Sequence, residues 1–316
     1  MGTEVTLKEE ESAVGNDSAI APGSAFYEAV GDPVTLLYGF PPALVNSVLI
    51  PKSARGVEQH ERLVNGSIPQ LGVEHLVGRI VDSIDIIFGV VFAEEEAEQA
   101  AYALHELHRK VKGKMPDGSS YQALNQQTWT NTWLVQVKGF MDAYGALRGF
   151  IDEAHRRDVY RGFVELGRRF RVTHMPAGLQ QYEDRINELE ATTLVCSAPA
   201  RFLVEQTTPR LVKPLNMRWL PTRVWGWATL PVRRMARVGL LLGLPGYVGS
   251  ELGIRRNGLD RLELWIHRCF WGLVPRRLAA RFGPWYFRIR RRRGTPAWRT
   301  RYSAESLAKR RNYNES

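Results

Sequence analysis

The chain has 316 residues, of which 44% are hydrophobic, and it carries a formal net charge of +10. A chain of this length and apolar content can bury one large core or two ordinary ones, which excludes disorder along its whole length. Its 2 cysteines exclude a disulfide framework or a cysteine-rich zinc site and, with no secretory signal at the start, favour a cytoplasmic protein.

The charge is divided between two oppositely charged parts of the chain. Residues 201–316 contain 25 Lys and Arg against 6 Asp and Glu, a net charge of +19, whereas residues 1–200 contain 18 against 27. Such a basic C-terminal part is typical of a protein that meets an anionic partner.

Composition also divides the chain into three segments. It predicts a disordered acidic tail over residues 1–23, a helical domain over residues 24–290 whose part 201–290 is basic, and a basic tail over residues 291–316. No repeat of fixed period stands out within them.

From Phe26 onward the apolar residues recur with the period of a helix, and no sustained alternation marks a strand. The clearest helix runs from Glu94 to Val111, because its apolar positions follow the i, i+3, i+4 rule and glutamates occupy its first turn. Further helices are predicted at 76–92, 127–147, 156–170, 178–192, 199–212 and 231–243. The sequence therefore predicts an all-α fold, a multi-helix globular bundle with an Arg- and Trp-rich helical C-terminal part.

In this C-terminal part arginines alternate with large aromatic residues, as in Arg223-Val-Trp225-Gly-Trp227. Three interpretations are open: a helical subdomain with its aromatic residues packed inward, a surface for an anionic membrane, and a surface for nucleic acid. The inward-packed subdomain is favoured, and the membrane comes next. Nucleic acid is an unlikely partner, because no RNA- or DNA-binding signature accompanies the charge.

Two histidines, His105 and His108, lie three residues apart on the predicted helix 94–111, and His108 falls on its apolar stripe. A histidine that points into a helical core either makes a hydrogen bond there or ligates something buried, and the hydrogen bond is favoured. Motifs for phosphate-binding loops, nucleophile elbows and zinc proteases are not found.

Five collinear segments resemble one all-α family, which comprises the bacterial latex-clearing rubber oxygenases and the fungal ER-bound oxygenase of mycophenolic acid biosynthesis. They include Pro51-Lys-Ser-Ala-Arg-Gly-Val-Glu-Gln-His60, the helix running into His105-Glu-Leu-His108-Arg-Lys-Val-Lys-Gly113, Tyr121-Gln-Ala123 followed by Trp129, Met175-Pro-Ala-Gly-Leu-Gln-Gln-Tyr182, and C-terminal elements between Leu242 and Arg277. The resemblance spans residues 26–290 and implies an all-helical oxygenase domain.

The resemblance also implies haem b as cofactor, and the oxidation or oxidative cleavage of an apolar, isoprenoid-like substrate. In that family a histidine of a W-x-H segment holds the haem iron, and here the segment reads Trp129-Thr-Asn131. An amide oxygen is a hard, weak ligand that does not normally replace imidazole. A histidine that the family often carries before the early proline is also replaced, by Ile50.

With these two histidines missing, the resemblance makes His108 the candidate iron ligand and, together with His105, the candidate catalytic residue. The candidates to line or orient the cofactor pocket are His60, Tyr121, Trp129 and Asn131. The aromatic residues that could enclose a flat macrocycle or a hydrocarbon chain are Phe88, Trp129, Trp133 and Phe140.

Two functions therefore remain open. The first is a haem-dependent oxygenase that acts on an apolar or lipid-like substrate. The alternative is a non-catalytic, haem-less family member that binds a lipid or a small apolar ligand at a membrane surface. Residues 201–316 are the candidate contact with an anionic membrane, which predicts a cytoplasmic protein that associates peripherally with the bilayer.

Overall fold

Helices make up nearly all of the secondary structure in residues 18–60, 73–93, 96–208 and 219–294, which the computed structural model describes. In the first half of the chain they are α1 (Ala25–Gly31), α2 (Phe40–Ser47), α3 (Pro51–His60), α4 (Val73–Phe92), α5 (Ala97–Arg109) and α6 (Gln126–Leu147). In the second half they are α7 (Glu153–Arg169), α8 (Leu179–Thr192), α9 (Ala198–Thr207), α10 (Thr222–Ala228), α11 (Leu230–Gly243), α12 (Gly246–Glu251), α13 (Gly258–Leu273), α14 (Arg276–Ala279) and α15 (Phe282–Arg292). The predicted all-α fold is confirmed.

A short β-hairpin departs from the helical prediction. Its strands β1 (Lys112–Lys114) and β2 (Ser120–Gln122) pair antiparallel, with Gly113 opposite Tyr121. The sequence showed no strand here because three residues are too few to display an alternating pattern. The hairpin ends the predicted helix 94–111 early, and Glu94 and Glu95 at its start lie outside the described residues.

Helix α6 lies at the centre of the bundle and is buried along most of its length. A Cβ added to Gly139 would lie 2.6 Å from the backbone nitrogen of Ala43, so α2 crosses α6 at a distance that only glycine permits. Gly239 of α11 meets the carbonyl of Tyr38 in the same way. Tyr38 belongs to a π-helical turn, Thr35–Gly39. This N-terminal turn therefore packs directly against the C-terminal helix α11.

The ends of the helical body differ from the predicted tail boundaries. Residues 18–23 pack on it, because Ile20 is 3% exposed and the Ser18 hydroxyl donates to Glu165 at 2.5 Å. At the other end α15 continues to Arg292. The remaining tail residues, 1–17 and 295–316, lie outside the described residues. Among the described residues, no helix combines the length and apolar character needed to cross a lipid bilayer.

A buried ion pair connects the two halves of the bundle. Arg148, just after α6, donates to the Asp32 carboxylate at 2.6 Å, and both side chains are 2% exposed. The same guanidinium donates to the carbonyl of Val274 at 2.7 Å and to that of Trp271, whose ring it also faces. Asp32 further accepts the backbone N–H of Val34 at 2.9 Å.

We predict that Asp32→Asn lowers the free energy of unfolding by about 3 kcal/mol or more, because it leaves a buried guanidinium without its counter-charge. The asparagine keeps an oxygen for the Val34 amide, so the loss reports the charge. Urea unfolding monitored by circular dichroism measures it. Asp158→Asn is the control, since its pair with Arg161 has 54% and 64% exposed side chains, and we expect a change of about 0–1 kcal/mol there. Equal effects of the two substitutions would contradict the prediction.

His267 of α13 lies on the inner face of its helix, with its Nδ1 2.7 Å from the Tyr38 hydroxyl. Burial lowers the pKa of His267; Glu263 opposes this effect and Arg234 adds to it. Below the ordinary histidine pKa the unfolded chain therefore binds protons that the folded protein does not.

We predict that the contribution of neutral, buried His267 to stability is present above pH 6.5 and is lost as the pH falls through the lowered pKa. In His267→Gln, urea unfolding should depend less on pH in this range, and an unchanged dependence would contradict the assignment.

Candidate functional site

A cleft of about 650 Å³ opens between the first half of α6, the segment before α8, and α8 itself. Its volume lies in the range of small-molecule sites. Eight of its ten lining residues are of polar type: Asn125, Gln126, Gln127, Thr130, Asn131, Gln181, His174 and Arg185. Leu134 and Pro176 supply apolar surface.

Asn131 and Arg185 form a partly buried contact in this cleft. Asn131 is 7% exposed, and its Oδ1 accepts a hydrogen bond of 3.1 Å from Nη2 of Arg185. The other side of the guanidinium donates to Glu188 at 2.5 Å, one turn along α8. Arg185 is thus held from two sides and is the one fully charged side chain among the lining residues.

The rim of the cleft is built from the segment between α7 and α8. His174 has a φ of 58°, a left-handed conformation that is costly for a residue with a Cβ, and its Nε2 lies 3.4 Å from the Gln126 side chain. The Thr130 hydroxyl donates to the carbonyl of Thr173 at 2.5 Å, which holds the segment against α6. This contact positions the exposed imidazole at the mouth of the cleft.

Trp129 faces away from the cleft, because residues two apart on a helix point about 200° apart. Its ring lies 4.9 Å from that of His108, and its Nε1 donates to the carbonyl of Phe170 at 3.1 Å. His108 is half-buried, like its neighbours Leu104 and Leu107, and its Nδ1 donates to the carbonyl of Leu104 at 2.9 Å. It thus lies at the edge of the core and makes a hydrogen bond, as the favoured interpretation of this histidine expects. The fully buried positions of α5 are small residues, such as Ala100 and Ala103.

His105 occupies the same half-buried side of α5. Burial lowers the pKa of His105, and the nearby charge of Arg171 adds to this effect. The neutral imidazole is consequently the favoured form of this side chain near neutral pH.

Tyr121 and His60 belong to a different contact, between α3 and the hairpin. Tyr121 is 3% exposed, and its hydroxyl forms a hydrogen bond of 2.5 Å with the side-chain amide of Gln59. His60 is exposed, and its Nδ1 donates to the carbonyl of Gly56 at 3.1 Å. The six predicted site residues thus lie at separate places. His108 contacts Trp129, His60 and Tyr121 belong to the contact between α3 and the hairpin, and Asn131 lines the cleft. His105 lies close enough to Arg171 to sense its charge.

Three of the four predicted aromatic lining residues, Phe88, Trp133 and Phe140, share one internal cavity, and Trp129 is not part of its lining. The cavity has about 20 Å³, which is enough for one water molecule. It cannot hold a flat macrocycle or a hydrocarbon chain without a rearrangement of the core.

The residues of the cleft do not fit a haem held at position 131. The donor there is an amide oxygen already engaged by Arg185, and half of the lining residues are carboxamides, whereas a haem iron needs a soft or imidazole ligand. Within the part of the chain that is described, no group of three or more His, Cys, Asp or Glu could hold a metal ion.

Two residues of the cleft, His174 and Arg185, were not predicted from the sequence. The signal for Arg185 was present, because it lies on the stripe of α8 that also carries Tyr182, Ile186 and Leu189, where a charge is out of place. His174 left no comparable signal, since its role depends on a backbone conformation that composition does not reveal.

Comparison with protein families gives one match, which covers residues 27–301 and is described as "ER-bound oxygenase mpaB/B'/Rubber oxygenase, catalytic domain". Comparisons with curated proteins and with solved structures give no match.

Proposed function

Because the chain belongs to the family of ER-bound oxygenase mpaB/B' and rubber oxygenase catalytic domains, we propose that it uses this helical frame to bind a small carboxylate-bearing molecule in the cleft, without a haem ligated at position 131. The observation that carries the proposal is the contact between Asn131 and Arg185. It puts a guanidinium where the family resemblance implies an iron-bound imidazole.

The chemistry of the cleft suits an anionic ligand of this kind. A guanidinium presents a planar fork of donors that matches a carboxylate, and it stays charged at any physiological pH. The second partner of Arg185, Glu188, is 58% exposed, so it can move into solvent when a ligand carboxylate takes its place. Carboxamides around the guanidinium, such as Gln181 and Gln126, supply both donors and acceptors for the rest of a polar ligand.

A second candidate is haem-dependent oxidation or oxidative cleavage of an apolar, isoprenoid-like substrate. The specific observation in its favour is that the Leu104 carbonyl orients the His108 imidazole through Nδ1, which is the kind of second contact that metal-binding histidines make. In this candidate His108 or His105 would hold the iron, and the haem would supply the dioxygen chemistry.

An absorption spectrum of protein expressed with a haem supply separates the two candidates. We expect no Soret band at stoichiometric haem, because the cleft offers an amide in place of an imidazole at position 131 and a guanidinium beside it. Near one haem per chain in the wild type, lost in His108→Ala or His105→Ala, would replace the first candidate with the second. Circular dichroism of each variant checks that haem loss does not reflect unfolding.

Benzoate and benzamide test the anionic ligand directly, since the two molecules share a shape and differ in charge. We expect benzoate to raise the melting temperature more than benzamide does, and Arg185→Gln to abolish the difference. Each shift is taken relative to the same variant without ligand, so a loss of intrinsic stability does not affect the comparison. Arg161→Gln, in an exposed ion pair with Asp158, is the matched control and should keep the difference. Equal shifts with both compounds, or an unchanged response in Arg185→Gln, would contradict the proposal.

A further inference from the structure

Helix α13 exposes most of its large apolar side chains. Those that are exposed to between 49% and 83% are Leu259, Leu262, Trp265, Ile266, Phe270 and Leu273. On a helical wheel they occupy one arc of about 140°. The side turned to the protein carries Trp271 at 7% and Asp260 at 3% exposure, together with half-buried Leu264, Glu263 and His267. A surface helix of a globular protein normally buries so wide an apolar arc.

Polar contacts hold α13 in this orientation. Asp260 accepts from Arg237 at 3.0 Å and closes a capping box with Asn257, while Glu263 pairs with Arg234. Together with the hydrogen bond between His267 and Tyr38, these contacts fix the inner face of the helix along its length. The apolar face is therefore presented outward by a well-anchored helix.

The same part of the chain holds most of the exposed apolar surface. Of the 16 large hydrophobic residues that are exposed in the described chain, 14 lie between Trp219 and Trp285. Trp227 at the end of α10 is 75% exposed, and Leu278 on α14 is 58% exposed. Soluble proteins rarely expose an apolar stripe like that of α13 unless it is an interaction site.

Arginines accompany this surface, and exposed carboxylates are nearly absent from it. Arg261 and Arg268 are exposed and lie on α13 just beside the apolar arc. Within the described residues 219–294 the carboxylates are Glu251, Asp260 and Glu263, and the last two are the ones that face inward to Arg237 and Arg234. The outward-facing charge is therefore almost entirely positive.

We propose that this surface docks on an anionic phospholipid bilayer, with α13 lying in the plane of the headgroups and its apolar arc among the acyl chains. The combination of aliphatic side chains, an interfacial tryptophan at Trp265 and flanking arginines meets both requirements of such binding, apolar burial and attraction to anionic headgroups.

A second copy of the chain fits this surface less well, because two faces of the same positive charge would repel. Nucleic acid also fits less well, since Leu262 and Ile266 offer bases nothing to stack on. This proposal is independent of the ligand of the cleft.

Flotation of the full-length protein with vesicles of phosphatidylcholine alone, or of phosphatidylcholine containing about one third phosphatidylglycerol, tests this surface. We expect binding to the anionic vesicles that weakens as salt is raised. Leu262→Ser with Ile266→Ser should lower the partition coefficient about tenfold or more, because two apolar side chains no longer leave water. Arg261→Gln with Arg268→Gln should lower it about tenfold on anionic vesicles and leave neutral vesicles unaffected.

Val195→Ser is the matched control, since Val195 is 49% exposed but lies outside residues 219–294. The substituted side chains are exposed, so each variant should keep the circular dichroism spectrum of the wild type. Failure of the wild type to bind anionic vesicles at low salt would overturn the proposal, and so would equal binding by all variants. A dimer in sedimentation that the Leu262→Ser, Ile266→Ser variant abolishes would assign the face to a second copy instead. Binding of a DNA fragment in preference to vesicles would assign it to nucleic acid.

Discussion

The buried ion pair between Asp32 and Arg148 is the contact on which the arrangement of the two halves depends. Its two side chains are 2% exposed, and the cost of removing both charges from water is offset by the contacts of both Asp32 oxygens and of Nε and Nη1 of Arg148, while Nη2 of Arg148 is buried without a hydrogen-bond partner. The guanidinium reaches the carbonyls of Trp271 and Val274, so the same group that neutralises Asp32 also holds the end of α13. Arg276 continues this network by donating to the carbonyl of Arg148 at 2.8 Å. The N-terminal helices and the basic C-terminal helices are therefore joined by charge rather than by apolar packing alone.

A second set of ion pairs fixes the orientation of α13. The inner face of the helix pairs Asp260 with Arg237 and Glu263 with Arg234, beside the buried ring of Trp271. Most of the other large apolar residues of the helix lie on its outer arc. These contacts therefore present the surface on which the proposal of bilayer docking rests.

The cleft shows how the helical fold of a family can be kept while the chemistry of a site within it changes. The helix that bears the Trp129-to-Asn131 segment is held at the centre of the bundle by close contacts such as that of Gly139 with Ala43, and these do not depend on what residue 131 is. Replacing an imidazole by an amide at such a position alters the ligand chemistry without disturbing the packing. Arg185 then adds a positive charge and hydrogen-bond donors beside residue 131. A haem pocket instead offers an axial ligand to the iron at this position.

The sequence by itself determined the all-α class, most helix positions, the family and the unusual Asn131. These follow from the 3.6-residue period, from charge at helix ends and from local motifs, all of which act over a few residues. The tertiary structure alone decided that Trp129 and Asn131 face different neighbours, that His108 lies beside the core, and that the hairpin carries Tyr121. It also decided the orientation of α13, because arginines and aromatic residues in alternation are compatible with either face inward. The reason is physical: which face of a helix is buried depends on partners far away in the chain, such as Arg234 for Glu263, and local sequence does not contain them.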